Sequence, residues 1–177
     1  MDNFSIERRA ARIRFLLLDC DGVLTDGRIT LLGNGDEYKS FHVRDGHGLV
    51  LWHRAGLRSG IISGRTSSAV IMRAKDLGIG FVRQGSHNKI KDFDELLAEA
   101  NSTAEEVAFV GDDVVDIPLM RRAGLAIAVA DAVAEVRAAA HLVTQLPGGY
   151  GAVREVTDWL LQTQGRWPEL MRRYLEG

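Results

Sequence analysis

The sequence predicts an α/β protein built on a doubly wound parallel sheet, with one projecting β-hairpin. Three observations point there. Short apolar runs alternate with longer amphipathic stretches along most of the chain. Several of those runs are apolar at nearly every position, as strands buried on both faces require. One segment breaks the alternation and carries the hairpin turn pair Asn34-Gly35, whose two positions suit the positive φ that such a turn needs. The length of 177 residues suits one domain. No fixed-period repeat and no Pro/Ser-rich linker divides the chain, so a single domain over residues 1–177 is expected.

The elements follow in order. Ile13 to Leu18 is a buried strand ending at Asp19. Arg28 to Phe41 reads as the hairpin, spanning about residues 28–42. One helix follows it. Gly60-Ile61-Ile62 is a strand ending at Ser63, and Ser67 to Leu77 is a helix with Val70, Ala74 and Leu77 on one face. Ile79 to Val82 is a further strand. Lys89 to Ala100 is a helix that aligns Ile90, Phe93 and Leu97. Val107 to Val110, Leu125 to Val129 and Leu142-Val143 complete the strands, with helices over Ile117 to Ala123 and Ala132 to Ala139 between them. Ala152 to Gln162 is an amphipathic helix. The tail, Gly165 to Gly177, carries Trp167, Leu170, Met171 and Tyr174 and is too short to fold alone, so it is expected to dock. Strand and helix in alternation give parallel pairing with helices on both faces.

Composition narrows the function. The net charge is −2, with 46% hydrophobic and 26% charged residues, which fits neither a nucleic-acid coat nor a disordered chain. No apolar run reaches the roughly 18 residues of a membrane span, and the charged start of the chain does not resemble a signal peptide. A single cysteine, Cys20, excludes an intrachain disulfide. A cytoplasmic protein with no nucleic-acid and no membrane partner is the expectation.

Four polar signals stand at the ends of four apolar runs. Asp19-Cys20-Asp21-Gly22 places two carboxylates two residues apart at a strand exit. Ser63-Gly64-Arg65 puts a hydroxyl at a second exit, where one phosphate oxygen would fit, although a plain helix cap is the ordinary reading. Lys89 opens a helix at its positive end, an unfavourable place for a cation unless an anion sits nearby. Gly111-Asp112-Asp113-Val114-Val115-Asp116 sets Asp112 and Asp116 at i and i+4, on one face if a helix starts there. Two or three carboxylates converging beside Asp19 make a hard oxygen site suited to Mg²⁺ and phosphate. Each signal alone has an ordinary structural reading. The ordered set does not.

This ordered set resembles the haloacid dehalogenase superfamily of aspartate-nucleophile phosphatases, with its Rossmann-like sheet. The segment between Ser63 and Lys89 is too short for a cap, and Asp19 to Ser63 is filled by the hairpin and one helix, so no cap domain is expected. The stretches Asp21-Gly-Val-Leu-Thr-Asp-Gly, Phe41-His-Val-Arg-Asp-Gly-His-Gly, Gln84-Gly-Ser-His-Asn-Lys and Gly148-Gly-Tyr-Gly-Ala-Val-Arg-Glu are similar to the 3-deoxy-D-manno-octulosonate 8-phosphate phosphatases. The resemblance implies a Mg²⁺-dependent phosphatase of lipopolysaccharide precursor synthesis. It implies Asp19 as nucleophile, Asp21 as acid and base, Ser63 and Lys89 on phosphoryl oxygens, and Mg²⁺ held by Asp19, the Asp21 carbonyl and Asp112, with Asp113 and Asp116 behind them. It further implies substrate contacts from Asp21, His42, Val43, Arg44, Asp45, Gly46, Arg65, Arg73 and Lys89. A homotetramer is implied, in which a neighbour's hairpin closes each site. His42 stands where an Asn is common and Val50 where some members carry a basic residue, which touches substrate choice rather than chemistry.

The competing readings are a phosphatase of nine-carbon sialic-acid-type phosphates or of broad sugar phosphates, a phospho-aspartate receiver, and a non-catalytic assembly protein. Asp19 and Asp21 share one strand end, which favours turnover over a stable phospho-switch.

Overall fold

The computed structural model describes residues 3–33 and 36–176. Eight helices and eight strands follow in the order α1 (Asn3–Arg12), β1 (Phe15–Leu18), β2 (Thr30–Leu31), β3 (Glu37–Tyr38), α2 (Val43–Arg54), β4 (Arg58–Ile62), α3 (Ser68–Leu77), β5 (Phe81–Arg83), α4 (Lys89–Ala100), β6 (Val107–Gly111), α5 (Ile117–Met120), β7 (Leu125–Ala128), α6 (Ala134–Ala139), β8 (Leu142–Val143), α7 (Ala152–Thr163) and α8 (Trp167–Leu175).

Six strands form one parallel sheet in the order β5-β4-β1-β6-β7-β8. β1 lies between β4 and β6, with Leu18 opposite both Ile61 and Val110. The chain builds outward from β1 to β5, then returns to β6 and builds toward β8. The direction therefore reverses beside β1, and ligands of open α/β sheets bind at the carboxyl ends of strands at such a point. Phe15 to Leu18 are wholly buried because helices cover both faces. α2 and α7 pack side by side, contributing Leu49, Leu51, Trp52, Val153, Val156 and Leu160 to the core. Burying such side chains is worth roughly 1.5–3 kcal/mol each.

The hairpin is a separate two-stranded ribbon pairing Thr30 with Tyr38 and Leu31 with Glu37. Its strands are only two residues long, and the Asn34-Gly35 turn lies outside the described residues. Ile29, Leu31, Leu32 and Tyr38 are exposed on it.

Three elements differ from expectation. α1 was not anticipated, because its many charges hide the spacing of Ile6, Ala10 and Ile13, which meet the core. α5 stops at Met120, where the chain turns into β7, and α6 begins at Ala134 rather than Ala132. The tail forms α8 and docks on its own chain. Trp167, Leu170 and Met171 meet the core, Arg166 donates to the Ala55 carbonyl at 2.8 Å, and Arg54 donates to the Tyr174 hydroxyl. Among the described residues no helix is long and apolar enough to cross a membrane.

Candidate active site

Asp19, Asp21, Ser63, Arg65, Lys89, Asp112 and Asp113 line one cleft of about 640 Å³ at the carboxyl edge of the sheet. β1 delivers Asp19, whose N–H donates to the Val110 carbonyl at 3.0 Å and so continues the ladder one residue past the strand. The chain then turns. The Cys20 carbonyl accepts from Leu24 at 3.0 Å and Thr25 at 3.1 Å. Asp21 therefore reaches the cleft from a tight turn, not from extended chain. Cys20 points into the core, where burial pushes its thiol well up, so it is packing and not a nucleophile. Gly22 permits this path twice over. Its φ is +90°, and a Cβ there would stand 2.0 Å from Asp112 Oδ2.

Lys89 sits at the centre. Its ammonium donates to Asp19 Oδ1 at 2.5 Å and to Asp116 Oδ1 at 2.7 Å. Asn88 caps α4 by accepting from the Lys91 N–H at 3.2 Å, which fixes Lys89 as the first helical residue. Burial pulls the Lys89 pKa down, but the Asp19 and Asp116 charges outweigh it and hold it above the ordinary value. The cation at a helix start is thus explained by two carboxylates.

Asp112 and Asp116 do meet, though not along one helical face. Asp113 accepts from the Val114 N–H at 2.7 Å and starts a 3₁₀ turn over Val114–Asp116, and this turn brings Asp116 Oδ2 within 3.1 Å of the Asp112 N–H. Asp116 is wholly buried and Asp113 exposed. Carboxylate oxygens of Asp19, Asp112 and Asp116 lie within 4.8 Å of one another. Burial, followed by the charges of Asp116 and Asp113, pushes Asp112 up to about 7. Burial likewise pushes Asp19 up to about 7, against the pull of Lys89. One lysine does not neutralise three clustered carboxylates, and Asp112 has no ion-pair partner among the described residues. A hard divalent cation fits this oxygen set.

Ser63 directly follows β4 and is buried. Its N–H donates to the Arg83 carbonyl at 2.9 Å, and its hydroxyl accepts from the Arg65 N–H at 3.2 Å. It is not the cap of α3, because Ser67 holds that place. The hydroxyl therefore remains a cleft group.

The expected substrate segment is not part of this cleft's lining. Val43 and Arg44 are exposed at the start of α2. Asp45 is turned inward, where its carboxylate accepts from Arg154 and Gly151, so its side chain anchors the segment instead of facing a ligand. Arg73 lies over the Phe41 ring at 5.9 Å and pairs with Asp76 at 2.8 Å. Its guanidinium packs on Gly46, where a Cβ would come within 2.2 Å of it. The His42 Nδ1 and Arg73 Nε are buried without hydrogen-bond partners.

Two residues on β3 and its exit were missed by sequence reasoning. Lys39 pairs with Asp21 and Glu37 pairs with Arg65. The signal was present as a Glu-x-Lys spacing in a strand, which puts both side chains on one face while Tyr38 points to solvent.

Comparison with known proteins follows the same geometry. Residues 60–151 match the haloacid dehalogenase-like hydrolase family. The chain is 45% identical over 161 residues to the 3-deoxy-D-manno-octulosonate 8-phosphate phosphatase KdsC of Escherichia coli K12, covering 91% of this chain and 86% of that protein. It is similar to the crystal structure of the Yersinia pestis phosphatase of the same name, with TM-score 0.90 and 42% identity over 93% of this chain and 89% of that one. It is also similar to the Moraxella catarrhalis phosphatase, solved with a magnesium ion, a phosphate ion and KDO, with TM-score 0.92 and 35% identity over 96% of this chain and 97% of that one.

Proposed function

Because the chain belongs to the 3-deoxy-D-manno-octulosonate 8-phosphate phosphatase family of haloacid dehalogenase-like hydrolases, we propose that it hydrolyses that sugar-acid phosphate to the free acid and phosphate. The observation that carries this reading is Lys89 bridging Asp19 and Asp116 beside Asp112, at the edge where the sheet reverses.

Asp19 attacks phosphorus, and the bond to the sugar oxygen breaks as the aspartyl-phosphate forms. Asp21 gives its proton to the departing oxygen, then takes one from the water that hydrolyses the aspartyl-phosphate. Ser63 and Lys89 hold phosphoryl oxygens, and stabilising charge on these oxygens is the main task in phosphoryl transfer. Asp116 holds Lys89 in place from behind. Asp113 shapes the turn that brings Asp116 in. Asp19, the Asp21 carbonyl and Asp112 would hold Mg²⁺, which supplies positive charge against the repulsion between carboxylate and phosphate. Arg65, at the cleft mouth, suits the substrate carboxylate. His42 to Gly46 and Arg73, outside the cleft's own lining, carry the remaining substrate contacts in this reading, with Val43 and Arg44 as the exposed groups of the segment.

Among the described residues, only α3 and β5 lie between Ser63 and Lys89, and only the hairpin and α2 precede β4 after Asp19, which supports a site without a cap domain. The exposed apolar side chains on the hairpin suit burial against other copies, which supports a homotetramer whose neighbouring hairpins close each site. A single catalytic domain acting in the cytoplasm, in lipopolysaccharide precursor synthesis, completes the reading.

A substrate panel tests it. Phosphate release from the eight-carbon acid phosphate is expected to exceed release from nine-carbon acid phosphates and simple sugar phosphates in kcat/KM. Equal or higher kcat/KM on the others would contradict the substrate assignment.

A further inference from the structure

Lys39 approaches the cleft of its own chain from the hairpin, an element that the sequence connected with assembly and with closing a neighbour's site. It follows β3 directly, and its side chain is 2% exposed. The ammonium donates to Asp21 Oδ1 and lies 3.4 Å from Glu37 Oε2. Glu37 in turn accepts from Arg65. Four charged groups thus form a chain, Asp21–Lys39–Glu37–Arg65, from the turn after β1 to the turn after β4. Burying an ammonium so completely is tolerated only with partners of opposite charge, and Lys39 has two. The Lys39 contact engages Oδ1 of Asp21 and not Oδ2.

We propose that Lys39 is a positioning residue for Asp21: the hairpin's ion pair fixes Oδ1 so that Oδ2 faces the oxygen of the departing alcohol. This rests on the reading of Asp21 as the acid. In the step concerned, the proton leaves Asp21 Oδ2 for the sugar oxygen while the oxygen–phosphorus bond breaks and the Asp19–phosphorus bond forms. A carboxylate free to rotate would spend less time in that geometry, and a 1 Å misplacement is enough to slow such steps substantially. A Lys that only stabilised the hairpin would affect all substrates alike.

The leaving group separates the two cases. The kcat/KM value covers steps through release of the alcohol. A sugar alkoxide needs a proton to depart, whereas p-nitrophenolate does not. Lys39→Met and Asp21→Asn are compared with the unaltered enzyme, with Mg²⁺ present, on 3-deoxy-D-manno-octulosonate 8-phosphate and on p-nitrophenyl phosphate. The expected result is a loss in kcat/KM on the sugar phosphate at least about tenfold larger than on the aryl phosphate, for both variants. Lys39→Arg is expected to recover part of the sugar-phosphate rate. Turnover of the aryl phosphate by Lys39→Met shows that the variant is folded. Equal losses on both substrates in Lys39→Met, with the leaving-group signature kept in Asp21→Asn, would overturn the role of Lys39 alone. Absence of the signature in Asp21→Asn would overturn the acid assignment, and this proposal with it.

Discussion

Asp45, in the first turn of α2, caps α7 through Arg154: its Oδ1 accepts the Arg154 N–H at 2.7 Å, while Oδ2 accepts from Gly151 at 3.2 Å. The first N–H groups of a helix have no partner within it, and here a residue more than 100 positions earlier supplies one. Asp45→Ala would leave one buried and one part-buried donor unpaired. The expected cost is about 2 kcal/mol, or roughly 4–8 °C in the unfolding midpoint for a chain of this size. Calorimetry checks this, and an unchanged midpoint would show that the cap is dispensable.

The turn after β1 is held from the other side by Gly148. A Cβ there would lie 1.7 Å from the Gly22 carbonyl oxygen, and Gly149 donates to the Val23 carbonyl at 2.9 Å. Backbone cannot yield as a flexible side chain does. Gly148→Ala is therefore expected to displace the segment bearing Asp21 and to lower both stability, by about 1–3 kcal/mol, and kcat. Gly80→Ala, with nothing within 4 Å of its Cβ, is expected to change neither. Paired thermal melts and turnover measurements on the two variants decide the matter.

Much of this arrangement was legible in the chain. Strands buried on both faces announce themselves, because a run such as Phe15 to Leu18 has no polar face to present. The acids, Ser63 and Lys89 stand immediately at element ends, so locating the elements located them. Lys39 and Glu37 escaped, and Asp45 was expected to contact substrate and not to cap a helix, because their partners lie far away in sequence. An Asp directly before a Gly does not say that it caps a helix a hundred residues later. Lys39 finds Asp21 only after the hairpin has folded back across the turn. α1 was lost for a different reason: its charged residues outnumber the few positions that meet the core.

His53 gives a pH dependence of stability. Its Nδ1 lies 3.1 Å from the Leu77 carbonyl and its Nε2 2.7 Å from the Ser59 hydroxyl, a pattern that suits the neutral ring with the proton on Nδ1. Burial holds its pKa below the ordinary 6.5. As pH falls through 6.5 the unfolded chain takes up a proton that the folded chain refuses. The contribution is complete above 6.5 and is lost between that value and the lower folded one. Between about pH 7.5 and about pH 5.5 the unaltered protein should lose stability relative to His53→Gln. Parallel denaturant titrations at the two values test this, and a constant difference would contradict it.

Lys89→Met removes the only cation shown pairing with Asp19 and Asp116 among the described residues. Loss of one such charge from the phosphoryl site is expected to lower kcat/KM by about 10²–10³-fold. A variant retaining more than a tenth of the activity would place phosphoryl stabilisation elsewhere.

The central claim is that Asp19 takes the phosphoryl group in a site that needs a divalent cation. Phosphate release from 3-deoxy-D-manno-octulosonate 8-phosphate tests it most directly, measured with Mg²⁺, after chelation, and with Asp19→Asn. The account predicts turnover with Mg²⁺, its loss on chelation and its return when Mg²⁺ is restored, with none from Asp19→Asn. Turnover that survives chelation, or that persists without the Asp19 carboxylate, would contradict it.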